Sequence, residues 1–356
     1  MDNALIFRAG ARAAALIRQD GGLDPARLRL MLGASGGPKW LALSRLDRVI
    51  LRRWLAGRSA PLDLLGSSIG TWRFACYAQS DPQAAFERFE EAYLAYRYAT
   101  GDTPADITAD SLAILDAVLG PDGVAESLSG PMRLSAVAVR ARSALLDTER
   151  RLSLQAGLAL TALSNLVSRR APGLFFERVL FHDPRSDAGY ADWSGFPTRR
   201  VGLKEDNLKP AIMASCAIPL VLAGIRGIAG APPGIYRDGG LLDYHFDLPL
   251  LEGDPDGLVL YPHFYPHIVP GWFDKPLKWR HKAGKNAGPI LLIAPSPDFV
   301  ADLPYGKIPD RKDFLRLTDA ERLAYWRRVL AESERLADEL ERVIDQGRLP
   351  DRIEPF

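Results

Sequence analysis

Twice within the first eighty residues, the chain runs from a short apolar stretch into a glycine-rich turn and directly on into a helical pattern. Residues 28–32 alternate apolar side chains with arginine, turn apolar, and stop at Gly33-Ala34-Ser35-Gly36-Gly37. Pro38 then suits the first turn of a helix, where a missing N–H is tolerated. Leu41, Leu43, Leu46, Val49, Ile50 and Trp54 follow at helical spacing over residues 40–55. The second unit runs from residues 62–65 into Gly66-Ser67-Ser68-Ile69-Gly70 and a helical stretch ending near Tyr77. Strand, tight turn and helix in this order predict an α/β sheet whose loops gather along one edge.

The rest of the chain extends this pattern. Residues 134–139, 175–181, 258–261 and 290–293 read as strands, and 81–98, 152–167 and 208–213 as helices. Thr318-Asp319-Ala320-Glu321 is a capping box that opens a long helix reaching to about residue 346. Residues 318–348 are expected to pack on the body through one apolar side, with self-association into a homo-oligomer as the other use of that side. Residues 101–130 mix Asp, Pro and Gly around one apolar patch and read as a cover over the body. With no repeat, low-complexity tract or long linker, residues 1–356 read as a single elaborated domain.

Composition excludes several function classes. Forty-five Lys+Arg against forty-four Asp+Glu leave a net charge of +1, too little to recruit nucleic acid through a global field. Hydrophobic residues at 47% and charged residues at 25% fit a folded globular chain rather than a disordered one. Two cysteines, Cys76 and Cys216, cannot make a disulfide-dense scaffold or a four-cysteine zinc site, and read as buried thiols. The N-terminal residues carry no basic-then-apolar leader, and no run approaches the ~20 apolar residues that span a bilayer. The expected location is cytoplasmic, with peripheral membrane contact open.

Gly66-Ser67-Ser68-Ile69-Gly70 matches G-x-S-x-G, in which the glycines let the chain turn sharply enough to lift the Ser68 hydroxyl clear of the sheet. A turn of purely structural use has the same look. A serine nucleophile also needs a base and donors for an oxyanion. Side-chain-free Gly36 and Gly37 in the first turn can supply amide donors. The same turn lacks both phosphate-loop patterns, because Lys39 is followed by Trp40. None of the five histidines sits in a decisive pattern; His263 and His267 are four apart, but Pro262 and Pro266 argue against a helix presenting both to a metal. Asp238, in Arg237-Asp238-Gly239-Gly240, follows an apparent strand end, and its glycine turn frees the carboxylate to face a pocket.

Taken together, these segments resemble the patatin-like phospholipases. That family's glycine-rich oxyanion loop is similar to Ala34-Ser35-Gly36-Gly37-Pro38-Lys39-Trp40, and its G-x-S-x-G to residues 66–70. Its A-S-x-A-x-P segment is matched by Ala214-Ser215-Cys216-Ala217-Ile218-Pro219, and its D-G-[GA] by Asp238-Gly239-Gly240. Ala34, Ser35 and Trp40 depart from the usual loop, and Asp243, His245 and Asp247 follow Asp238 closely. The resemblance covers roughly the first two-thirds of the chain.

It implies a three-layer α/β/α fold with a central, mostly parallel sheet, and hydrolysis of a lipid or acyl ester by a Ser68–Asp238 dyad. Gly36 and Gly37 would form the oxyanion hole, and no metal or organic cofactor is needed. Two other readings fit the same residues: an esterase triad using a histidine such as His245, and a catalytically silent module binding lipid or nucleotide. The aromatic, proline-rich residues 261–273, followed by Lys275, Lys278, Arg280 and Lys282, read either as a rim touching lipid or as a rigid packed loop.

Overall fold

The computed structural model describes residues 3–99, 101–186, 188–281 and 285–356. Lys282, named above with the cations after the aromatic loop, lies outside the described residues, as do Met1 and Asp2. In chain order the strands are β1 (Leu5–Ala9), β2 (Leu28–Gly33), β3 (Leu62–Ser67), β4 (Met132–Ala141), β5 (Phe176–His182), β6 (Thr198–Gly202), β7 (Tyr236–Asp238), β8 (Leu258–Pro262), β9 (Ile290–Pro295) and β10 (Ile353–Pro355). They form one sheet in the order β10-β1-β9-β8-β2-β3-β4-β5-β6. Pairing is parallel except for β1–β9, β4–β5 and the short β4–β7 ladder. Helices cover the sheet on both faces, giving a three-layer α/β/α architecture. Every residue of β8 and β9 is buried, the pattern expected of strands covered on both sides.

The first eight helices are α1 (Ala11–Asp20), α2 (Ser44–Arg53), α3 (Ile69–Tyr77), α4 (Pro82–Ala95), α5 (Pro104–Leu119), α6 (Gly123–Ser127), α7 (Arg151–Val167) and α8 (Leu208–Cys216). Two helices, α9 (Asp319–Glu332) and α10 (Glu334–Asp345), close the fold. They replace the single C-terminal helix expected from the sequence. The Thr318–Glu321 capping box forms as read, but the chain breaks at Ser333, whose hydroxyl bonds to the Leu330 carbonyl instead of leaving the helix undisturbed. Residues 101–130 are likewise more than a loose cover. Thr103 and Asp106 make a reciprocal capping box, and α5 then packs on α4. The helix read over 40–55 begins as a 3₁₀ segment, Gly37–Leu43, and becomes α-helical only at Ser44.

One buried ion pair braces the helix that follows the Ser68 turn. Arg73 on α3 donates to both carboxylate oxygens of Asp47 on α2, at 2.8 and 2.6 Å, and the Tyr77 hydroxyl adds a third bond at 2.9 Å. Arg73 and Asp47 are both fully buried, so removing the acid leaves an uncompensated charge. Asp47→Ala is expected to lower unfolding stability by about 3–5 kcal/mol in urea titration. A loss below about 1 kcal/mol would show that the pair does not brace α2 against α3.

Candidate active site

The turn between β3 and α3 holds Ser68 in a conformation that side chains rarely adopt, φ 54° and ψ −128°. Holding a non-glycine residue there costs about 1–3 kcal/mol. The strain is tolerated because neighbours fix the turn. The Ser68 N–H donates to the Ser215 hydroxyl at 2.9 Å, and that hydroxyl donates onward to the Val137 carbonyl at 2.6 Å. Gly70 is required by close approach: a Cβ there would lie 2.0 Å from the Gly33 carbonyl oxygen. The two glycine turns of the sequence thus touch, and the Ser35 hydroxyl donates to the Ser67 hydroxyl at 2.9 Å.

Asp238 ends β7, whose register on β4 sets its position. Asp238 pairs with Ala138, one residue beyond the Ser67–Val137 pair of β3. The ends of β3 and β7 therefore meet along one strand, and the Ser68 hydroxyl donates to Asp238 Oδ2 at 2.7 Å. The other carboxylate oxygen accepts the Gly240 N–H at 2.7 Å. Ser68 and Asp238 expose only 4% and 7% of their surface. Burial pushes the Asp238 carboxyl up to about 6, and the bonds from Ser68 and Gly240 hold it from rising further.

The other groups named near Asp238 have different partners. Asp243 is bound bidentately by buried Arg178, at 2.6 and 2.8 Å. Asp247 accepts from Asn286 at 3.0 Å. His245 is fully buried, accepts the Val269 N–H through Nδ1, and is held well below the usual histidine range by that burial. Among the described residues, no histidine hydrogen-bonds to Ser68. His267 and His281 line the cavity and stack on each other at 5.7 Å. Cys76 and Cys216 are free thiols.

Ser68 and Asp238 face a cavity of about 670 Å³. Gly36 and Gly37 form part of its wall, and among the described residues neither N–H is taken by an acceptor. Its apolar lining includes Leu158, Ile218, Leu220, Val221, Leu241 and Val269. Its charged lining is Lys39, Lys275, Arg311 and Lys312, against a single acid besides Asp238, Asp310. Burial pushes Lys39 down to about 8 despite the pull of Asp310. Lys275 is open to the cavity yet surrounded by protein and faces Lys39, and it too is pushed below its ordinary value. A smaller hollow of about 80 Å³, walled by Trp72, Tyr93, Ile107, Ile114 and Phe314, also touches Ser68 and Arg311. Arg311 and Lys312 had no local signal in the sequence; only the return of the chain after β9 brings them to the site.

No family model matches the chain, and no curated protein matches it. Among solved structures, VipD from Legionella pneumophila aligns over 66% of this chain and 50% of its own, at 12% identity and a TM-score of 0.27. This chain therefore spans half the length of that protein. Among the described residues, no helix is long and apolar enough to cross a membrane.

The raised carboxyl carries a stability consequence with a definite sign. Between its ordinary 3.8 and about 6, the folded protein holds a proton at Asp238 that the unfolded chain has released. Stability therefore falls as pH rises through that window and stays reduced above it. Asp238→Asn is expected to raise unfolding stability at pH 8 by up to about 3 kcal/mol, with the gain vanishing below about pH 4. Equal melting of the two proteins at pH 8 would show that the carboxylate is not held at a cost.

Proposed function

We propose that the protein is a patatin-like serine ester hydrolase acting on acyl esters that bear an anionic group, of the phospholipase A or lysophospholipase type. The 2.7 Å bond between a strained serine hydroxyl and a buried carboxylate carries this reading. The reaction has two halves. Ser68 Oγ attacks the ester carbonyl carbon as its proton passes to Asp238 Oδ2. The carbonyl oxygen becomes an oxyanion held by the free amides of Gly36 and Gly37. The C–O bond to the alcohol breaks, and Asp238 returns the proton to the departing oxygen. Water then attacks the acyl-enzyme carbonyl as Asp238 takes its proton, the bond to Ser68 Oγ breaks, and Asp238 returns the proton to Oγ as the acid leaves. A carboxylate near its ordinary ~3.9 is a weak base at neutral pH, and one near 6 is better matched to the task.

The mixed lining of the cavity suits an amphiphilic substrate. Its apolar side chains receive the alkyl chain, and Lys39, Lys275 and Arg311 attract a phosphate or carboxylate near the ester. Besides burial, the neighbouring charges of Lys39 and Arg311 push Lys275 down, so an anion placed among them is stabilised by several charges at once.

Ser68→Ala and Asp238→Asn are each expected to lower kcat/KM on a chromogenic ester by about 10³-fold or more. In the wild type, kcat/KM should fall as pH drops below about 6, where Asp238 takes a proton. Retained hydrolysis in either pure variant would refute its role. Lys275→Ala and Arg311→Ala are expected to raise KM about tenfold for an anionic ester while leaving a neutral ester of equal chain length nearly unaffected. Equal losses on both esters would show that the cations do not select charge.

A further inference from the structure

We infer that the outer face of α7 is the surface by which the protein docks on an anionic lipid bilayer, with the mouth of the Ser68 cavity turned towards the lipid. The inner side of this helix is fully used: Leu154, Gly157, Thr161 and Asn165 are buried against the body. Its outer side carries Leu152, Leu160, Leu163, Leu166 and Val167 in the open, the first and last at 81% and 88% exposure. These positions follow helical spacing, so they form one stripe roughly 22 Å long at 1.5 Å per residue. Seven of the thirteen large apolar side chains exposed among the described residues lie between 145 and 174, which makes a patch rather than scattered exposure.

Charge and aromatic groups frame this stripe as a lipid interface would require. Arg150 and Arg151 precede it, Arg169 and Arg170 follow it, and no acidic residue occurs from 150 to 176. Exposed Trp279 and Lys278 lie in a second segment free of acids from 275 to 297, and exposed Trp272 stands just before it, separated by buried Asp274. Buried Asp274 ties the two segments into one platform. It accepts from Asn165 at 2.7 Å and Arg280 at 2.9 Å, and pairs with Arg169 at 2.9 Å. Apolar side chains bracketed by cations, with indole rings beside them, match the depth profile of a bilayer surface whose head groups are negative.

Position selects lipid over a second copy of the chain. Leu158 of α7 and Trp272 both line the cavity, so the platform borders its mouth. A protein partner seated there would close the way in to Ser68, whereas a bilayer would deliver acyl esters to it. The choice of a lipid rests on the ester-hydrolase reading; the binding itself needs no turnover.

The test is flotation of Ser68→Ala protein with phosphatidylcholine vesicles, with and without phosphatidylglycerol. The protein should float with the anionic vesicles and far less with neutral ones, and adding Leu163→Glu/Val167→Glu should lower the bound fraction at least about tenfold without changing the melting temperature. Should that variant not fold, Leu152→Gln/Val167→Gln at the two most exposed positions serves the same comparison. No flotation, equal flotation on both vesicle types, or undiminished flotation of a folded variant would overturn the inference. So would a shift from dimer to monomer in the variant when Ser68→Ala protein does not float, which would assign the face to a second copy. Failure of the ester-hydrolase reading would look different: wild-type protein inactive on soluble esters, with flotation intact.

Discussion

The peptide between Val137 and Ala138 on β4 is the point on which the site depends. Val137 pairs with Ser67 at the end of β3, and Ala138 pairs with Asp238 at the end of β7. The Val137 carbonyl also accepts the Ser215 hydroxyl that steadies Ser68. Gly239 must stay a glycine because a Cβ there would lie 2.1 Å from the same carbonyl oxygen. Two segments separated by 170 residues in sequence are therefore aligned by strand register, which shifts only in whole steps, rather than by flexible loops. A one-residue slip on either ladder would turn Ser68 or Asp238 to the other side of the sheet.

That alignment places a carboxylate where water is scarce, and stability and chemistry then oppose each other. Burial raises the Asp238 carboxyl towards neutrality, which makes it a better base and the folded protein less stable above pH 6. The cations Lys275 and Arg311 pull weakly in the other direction, and the two hydrogen bonds from Ser68 and Gly240 do more. Two deeply buried arginines elsewhere are matched bidentately by acids, Arg73 by Asp47 and Arg178 by Asp243. The cavity differs in lining itself with four cations and only one acid besides Asp238, together with apolar side chains, the composition that an amphiphile with a negative head would suit.

Much of this was legible in the sequence because it is written locally. A hydrophobic run ending at a glycine turn marks a buried strand and the helix after it, so β2, β3, α3 and the Ser68 turn could be read directly. The meeting of Ser68 with Asp238 was legible only through the conjunction of motifs, since no spacing rule links residues so far apart. What escaped was non-local or short. The strands β1, β6 and β10 are five residues or fewer, and their pairing depends on neighbours distant in sequence. The break between α9 and α10 turns on one serine bonding back to its own helix. Arg311 reaches the site from a segment with no pattern of its own. The outer face of α7 had apolar spacing that fits a buried helix equally well, and only the packed structure reveals which side is covered.

The most direct test of the central claim is covalent labelling with a fluorophosphonate, followed by intact mass and peptide mapping, across pH and in the Asp238→Asn variant. The account predicts a single adduct on Ser68, a labelling rate that climbs as pH rises through about 6, and almost none in the variant. An adduct on another residue, or labelling of Ser68 that is indifferent to both pH and the loss of the Asp238 carboxylate, would contradict it.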